Sequence, residues 1–370
     1  MQSVKRSKVW LLLTVVLATA AAAFPQESLS PAEFSRLILD LSEEGGYFFS
    51  DNFTSNEDSY LTVVDQMRQL GAKGGAYVGV GPEQNFTYIA KVRPRIAFIV
   101  DIRRQAMIQH LMYKAIFHLS PTRAEFLSLL LSKPLGNKAP GPKESIDSLV
   151  AYLSGVPADE KAYAANLAAI GKTIQQDFKF PLSREDQETL AYVYRSFRLQ
   201  GFNIGFDING MFGRRFGHLP NLKELLLQKD LNGKQGNFLA AVEDYDFVRG
   251  MHLRNMIIPV VGDFGGKKSL AAVGSYLKKH GYIVTVFYAS NVEIVLFQYG
   301  YGSEQFPAFV NNIRKLPIND RSLLVRSTFW FYRHPAQLPG YALCTSLQNI
   351  SAFIKEFDEG RYQEYRDLLK

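Results

Sequence analysis

Gly75-Ala76-Tyr77-Val78-Gly79-Val80-Gly81-Pro82-Glu83-Gln84-Asn85 is the stretch that decides the fold. Ala76 to Val80 is a short apolar run of strand character. Gly79 and Gly81 turn the chain sharply, and Pro82 suits the first turn of a helix. A second apolar run, Arg95-Ile96-Ala97-Phe98-Ile99-Val100-Asp101, follows and closes on an acid. The order strand, glycine turn, helix, strand, acid predicts an α/β unit with a parallel sheet.

That order also predicts a Rossmann-like crevice of nucleoside shape. Glycines let a ligand approach the backbone, and an acid after the second strand accepts hydrogen bonds from ribose hydroxyls. Asp101 lies 22 residues beyond Gly79, close to the roughly 20 such a unit uses.

Working outward, Ser30-Pro31-Ala32-Glu33 marks a helix start, with a serine cap and an acid three residues on. Thr54-Ser55-Asn56-Glu57-Asp58 reads as a second start, opening a helix through Leu61, Val64, Met67 and Leu70. After Asp101, the positions Met107, Ile108, Leu111, Met112, Ala115, Ile116 and Leu119 share one helical face. From 120 to 245 strand-like runs are scarce, and Pro134 to Lys143 is a proline-rich loop. Ser183-Arg184-Glu185-Asp186 caps a helix through Phe197. This segment is expected to be a mostly helical insertion. The α/β rhythm returns with strands at 257–264, 282–288 and 322–331 and helices at 268–280 and 306–316. The expected organisation is thus a leader at 1–23, a first half-domain at 24–119, the insertion at 120–245 and a second half at 246–370.

The first residues carry Lys5, Arg6 and Lys8, then an uncharged run of 15 residues from Val9 to Ala23 ending in four alanines. A basic start, a short apolar stretch and small residues at its end form a secretory signal pattern. A bilayer span needs ~20 residues. The sole cysteine, Cys344, is far from this run, so a lipid-modified cysteine is not expected. The mature chain is expected in the periplasm or secreted, without a stable membrane anchor.

The 370 residues are 47% hydrophobic and 21% charged, with formal net charge +7. Such a chain can build a large core. Losing Lys5, Arg6 and Lys8 leaves +4, spread among acids. Arg103-Arg104, Arg214-Arg215 and Lys267-Lys268 are only pairs, expected as solvated surface, so no nucleic-acid partner is expected. The six histidines are scattered without zinc-type spacing, and no metal site is expected.

On these motifs the chain resembles class I methyltransferases that use S-adenosylmethionine. The resemblance rests on fold order over about 54–119 and 250–330. It implies that Gly79 and Gly81 hold the methionine part, that Asp101 holds the ribose, and that Asp263 with Phe264 lies beside the adenine. The family's acid two residues before the first glycine is replaced by Tyr77, and its third glycine by Glu83. The ammonium of the cofactor would then need Glu57 or Glu83. The chain also resembles, more narrowly, a group of bacterial methyltransferase-like proteins. That group pairs a Ser-Asn-Glu segment (here Ser55-Asn56-Glu57) with a Gln-Asn after the glycine turn (Gln84-Asn85) and a late Ser-Asn-Val-Glu (Ser290 to Glu293).

Each motif also has a plain structural reading. Ser55 or Asn56 would serve as a helix cap, Asp263 likewise, and Glu293 as a solvated acid at a strand end. Asn291 occupies the place where nitrogen-directed methyltransferases carry an Asn-Pro-Pro segment, without the prolines. Glu293 is the local candidate for a general base if proton removal is needed. The loop Gly262 to Ser269 lacks the G-x-x-x-x-G-K-[ST] register of a phosphate loop. The leading expectation is a methyltransferase-like protein whose acceptor, a small molecule or a protein, the sequence does not identify. The competing one is an exported, non-catalytic binding protein with the same crevice. A dinucleotide oxidoreductase fits less well, because Gln84 stands where the third glycine of G-x-G-x-x-G belongs.

Overall fold

The computed structural model describes residues 27–206, 218–298 and 304–370. The leader, Arg214-Arg215 and part of the glycine-rich stretch 201–220 lie outside them. Six strands form one sheet in the order β3-β2-β1-β4-β5-β6. They are β1 (Ala76–Gly79), β2 (Ile96–Asp101), β3 (Ile257–Val261), β4 (Val284–Ser290), β5 (Leu323–Phe329) and β6 (Leu343–Asn349). The first five run parallel, and β6 pairs antiparallel with β5. β1, β2, β3 and β5 are buried along their whole length. Strands covered on both faces tend to read as near-continuous apolar runs rather than alternating ones, which is why β1, β2 and β3 stand out in the sequence; β5 is buried as well but carries Arg326, Ser327 and Thr328.

Fourteen α-helices lie within the described residues. They are α1 (Pro31–Leu41), α2 (Val64–Gln69), α3 (Gln84–Val92), α4 (Arg104–Leu119), α5 (Arg123–Leu131), α6 (Ile146–Gly155), α7 (Glu160–Lys172), α8 (Arg184–Gln200), α9 (Leu222–Leu227), α10 (Val242–Leu253), α11 (Ser269–Lys279), α12 (Val292–Gln298), α13 (Gln305–Arg314) and α14 (Ile350–Asp358). One layer is the row α1, α11, α13 and α14. The other is built on α2, α3, α4 and α10, with α8 packed against α4. This is an α/β fold, compatible with a Rossmann-like one. Segment 120–245 is mostly helical, as expected, and its Leu149, Tyr194 and Phe197 join the same continuous core as the sheet. No described helix is long and apolar enough to cross a membrane.

Three expectations need correction. The helix expected from Thr54 begins only at Val64, without a side-chain cap. Residues 54–57 do not enter a helix; Ser55 Oγ donates to Gln84, and the Glu57 carboxylate accepts from Gln84, Tyr288 and Ser290, which ties the segment to distant residues. β4 begins at Val284 and runs to Ser290. The antiparallel β6 was not expected. Its last four residues are only partly buried, so it lacks the uninterrupted apolar run that marks the inner strands.

Candidate functional site

The sheet reverses its strand order between β1 and β4, and a crevice of about 940 Å³, open mouth included, lies there. Ligands of open α/β sheets bind at that point. Val80, Gly81 and Pro82 enter from the end of β1, and Asp101 to Arg103 from β2. Gly262 to Phe264 come from β3, and Tyr288 with Ser290, Asn291 and Val292 from β4. Tyr47, Phe48, Asn52 and Thr54 to Asn56 close it from the segment between α1 and α2. Of the residues expected to act, Asn56, Gly81, Asp101, Asp263, Phe264 and Asn291 line this crevice.

The glycine turn is braced from inside. Asn85 Nδ2 donates to the carbonyls of Val80 (2.9 Å), Gly81 (3.1 Å) and Pro82 (2.8 Å), and Tyr77 Oη donates to Asn85 Oδ1 at 2.9 Å. Asn85 is therefore a structural residue of the turn and not an open ligand group. Tyr77, standing where the resembling family has an acid, is its partner. His110 Nε2 donates to the Gly81 carbonyl at 2.8 Å. Burial pulls its pKa down to about 4, so it is a neutral ring.

The two glycines do different work. A Cβ on Gly79 would collide with Asn85 Oδ1 and stand 2.7 Å from the Tyr77 ring. Gly81 has φ +80° and open space where its Cβ would be. Gly79→Ala should therefore cost about 1–3 kcal/mol by overpacking, read as a lowered urea midpoint. A change below about 0.5 kcal/mol would show that the brace gives way easily.

Asp101 is fully engaged. Arg103 reaches Oδ1 through its backbone N–H and Nε, both at 3.0 Å, and Oδ2 through Nη2 at 2.8 Å. Burial pushes this carboxyl up, but the Arg103 charge and hydrogen bonds outweigh it and hold the pKa below the usual value. Arg103 also donates to the carbonyls of Ser50 and Asp51. It is buried, not the solvated surface expected of an Arg-Arg pair, because its guanidinium tethers the covering segment to the end of β2. Arg104 is half exposed and pairs with Asp186.

Glu57 is fully buried and is not among the crevice walls. Its Oε1 accepts from Tyr288 Oη (2.7 Å) and Ser290 Oγ (2.5 Å), and its Oε2 from Gln84 Nε2 (3.1 Å). Gln84 Oε1 accepts from Ser55 Oγ. Among the described residues no cation pairs with Glu57. Burial raises its pKa, opposed by the hydrogen bonds of Ser290, Ser327, Tyr288 and Gln84. Glu83 is buried too; burial lifts its pKa to about 7, although it accepts the Ser55 N–H at 3.2 Å.

Asp263 Oδ1 accepts the Gly265 N–H, a local turn contact, and burial raises its pKa. Phe264 stacks on Phe309 within the core while one part of it faces the crevice. Glu293 is turned away from the crevice. It forms a two-point buried ion pair with Arg326, 2.7 Å to Nε and 3.0 Å to Nη2. The general-base role expected for it is unsupported, because both oxygens are held by a guanidinium.

Three crevice walls carry a buried side-chain oxygen without a hydrogen-bond partner among the described residues: Asn52 Oδ1, Thr54 Oγ1 and Gln305 Oε1. Buried polar groups in native folds are nearly always paired, so their convergence on one crevice marks a place for a polar ligand. Asn52, Arg103, His110 and Gln305 were given no site role in the sequence reading, since none belongs to a motif and all four act through tertiary placement.

No curated protein matches this chain. A family model does match, over residues 52–370. The match leaves out α1 and takes in the covering segment from Asn52 onward, the crevice and the whole sheet. This protein belongs to the family described as Domain of unknown function (DUF7790).

Proposed function

We propose that this protein binds S-adenosylmethionine in the crevice and transfers its methyl group to an acceptor. The observation that carries the reading is the crevice spanning the carboxyl ends of β3, β2, β1 and β4, with the open Gly81 at the reversal. The strand order, closed by an antiparallel β6, supports a methyltransferase-type version of the fold. The unpartnered oxygens of Asn52, Thr54 and Gln305 suit the amino and hydroxyl donors of an adenosine-type ligand. Arg103 is the sole lysine or arginine among the described lining residues, and Asp101 pairs with it. Among the described lining residues a dinucleotide's phosphates would find no available cation, and a cationic sulfonium would meet no uncompensated positive charge. The bound group would supply an activated methyl donor, so the chain's task is chiefly to position the acceptor.

One observation favours the second reading, a non-catalytic binding protein. Both Asp101 oxygens are taken by Arg103, so a ribose contact must share them. Calorimetric titration of residues 24–370 with S-adenosylmethionine and S-adenosylhomocysteine tests the proposal. Micromolar binding is expected, weakened at least about tenfold in Gly81→Val, where a side chain enters the open space. Absence of heat and of thermal shift at millimolar ligand would overturn it.

A further inference from the structure

Ser290 sits in an unusual place. It ends β4, has φ +53°, and is separated by one residue from the start of α12. Serine in the left-handed region costs about 1 kcal/mol that glycine would avoid. The pairing of β4 with β5 slips between Tyr288 and Ser290. A serine held with positive φ on a sharp strand-to-helix turn, at the carboxyl edge of a parallel sheet, is how α/β folds present a nucleophile. Here the turn is made without flanking glycines, between Tyr288 and Val292.

The partner fits that role. Ser290 Oγ donates to Glu57 Oε1, so its proton already points at a carboxylate. Among the described residues Glu57 has no cation to weaken it as a base, and Gln84 and Tyr288 fix its orientation. A nucleophile, a base within hydrogen-bond reach and a third group orienting the base form the general arrangement for covalent catalysis. Ser290 and its neighbour Asn291 line the crevice, whose nearby walls Val292, Val295 and Leu296 are apolar.

We propose that Ser290 and Glu57 form a nucleophile–base pair that hydrolyses carboxylic esters with a small apolar acyl group. Ser290 Oγ adds to the ester carbonyl carbon as its proton passes to Glu57. The adduct collapses, the C–O bond breaks, and the alcohol leaves with the proton from Glu57. Water then gives a proton to Glu57 and adds to the acyl carbon. Ser290 departs, recovering its proton, and the acid is released. The balance is ester plus water to acid plus alcohol. Asn291 is the adjacent amide donor for the oxyanion. This activity does not depend on the nucleoside reading.

The test treats the mature chain with a fluorophosphonate probe, maps the label by peptide mass, and follows p-nitrophenyl butyrate hydrolysis. Label on Ser290 in the wild type is expected. It should be absent in Ser290→Ala and formed at least about 100-fold more slowly in Glu57→Gln, together with the loss of ester turnover. Mapping on the wild type needs no variant to fold. No label after saturating exposure, or label confined to another residue, overturns the proposal whatever the calorimetric result with S-adenosylmethionine.

Discussion

Arg326→Met should destabilise this protein by about 3–5 kcal/mol, because it leaves a carboxylate buried without its cation. Arg326 and Glu293 are 3% and 1% exposed at their side chains. Arg326 also donates to Gln348 Oε1 at 2.8 Å and lies over the Phe353 ring. Through these contacts it joins β5 to α12, β6 and α14 at once. Urea unfolding should show a midpoint well below that of the wild type. Joint replacement by Glu293→Leu and Arg326→Met should recover most of the loss, since no uncompensated charge is then buried. If the single variant unfolds within about 1 kcal/mol of the wild type, water reaches Glu293 and the pair is not the clamp its geometry implies. The same comparison separates stability from chemistry: a Glu293 variant that loses activity while unfolded says nothing about a base.

Lys114→Met should act in the opposite direction. Lys114 is buried on α4, and desolvation draws its pKa down from 10.5 to about 7. Its Nζ donates to the His252 carbonyl and lies 4.6 Å and 4.4 Å from the ring centres of Phe34 and Phe178. Among the described residues no carboxylate pairs with it, and the nearby His118 and His252 are held below their usual pKa by burial first and by the Lys114 charge as well. Above pH about 10.5 the lysine is neutral in both states and costs nothing. Between 10.5 and about 7 the unfolded chain takes up a proton that the folded one does not, so stability falls as pH falls. Below about 7 the penalty is complete and constant. A shift of this size corresponds to several kcal/mol at most. The lost contact to the His252 carbonyl returns about 1–3 kcal/mol of it. A net gain of about 1–2 kcal/mol is expected for methionine at pH 6–7, shrinking steadily in urea titrations at pH 8 and 9.5. A gain independent of pH would mean that the lysine is charged in the fold throughout.

Much of the architecture could be read from residue order. β1, β2 and β3 announce themselves because strands covered on both faces are mostly apolar, whereas β5 is buried yet carries Arg326, Ser327 and Thr328, whose partners lie elsewhere in the chain. Ser30 and Ser183 mark helix starts because their caps are local, and both form capping boxes. Local signals mislead where a tertiary partner outbids them. Ser55, Asn56 and Glu57 look like a cap, yet Ser55 and Glu57 are drawn to Gln84, Tyr288 and Ser290, residues from elsewhere in the chain. Gln84 and Asn85 look like a pair of ligand amides, but only the fold reveals that Asn85 is used up by three turn carbonyls and the Tyr77 hydroxyl. Asp101 is legible as the acid of the second strand, whereas its guanidinium partner two residues on resembles an ordinary surface pair. The crevice position follows from strand order, while several side chains around it are oriented by partners far away in sequence, as Tyr288 and Ser290 are by Glu57.

The brace on the glycine turn has a consequence for recognition. Loops that wrap a ligand commonly gain their shape on binding and give up affinity to become ordered. Here Asn85, Tyr77 and His110 impose the shape before any ligand arrives, and the cost of ordering the loop is met during folding. Selectivity at this turn then operates by exclusion: a molecule that does not match the preset contour is turned away, and the backbone will not remould itself around it.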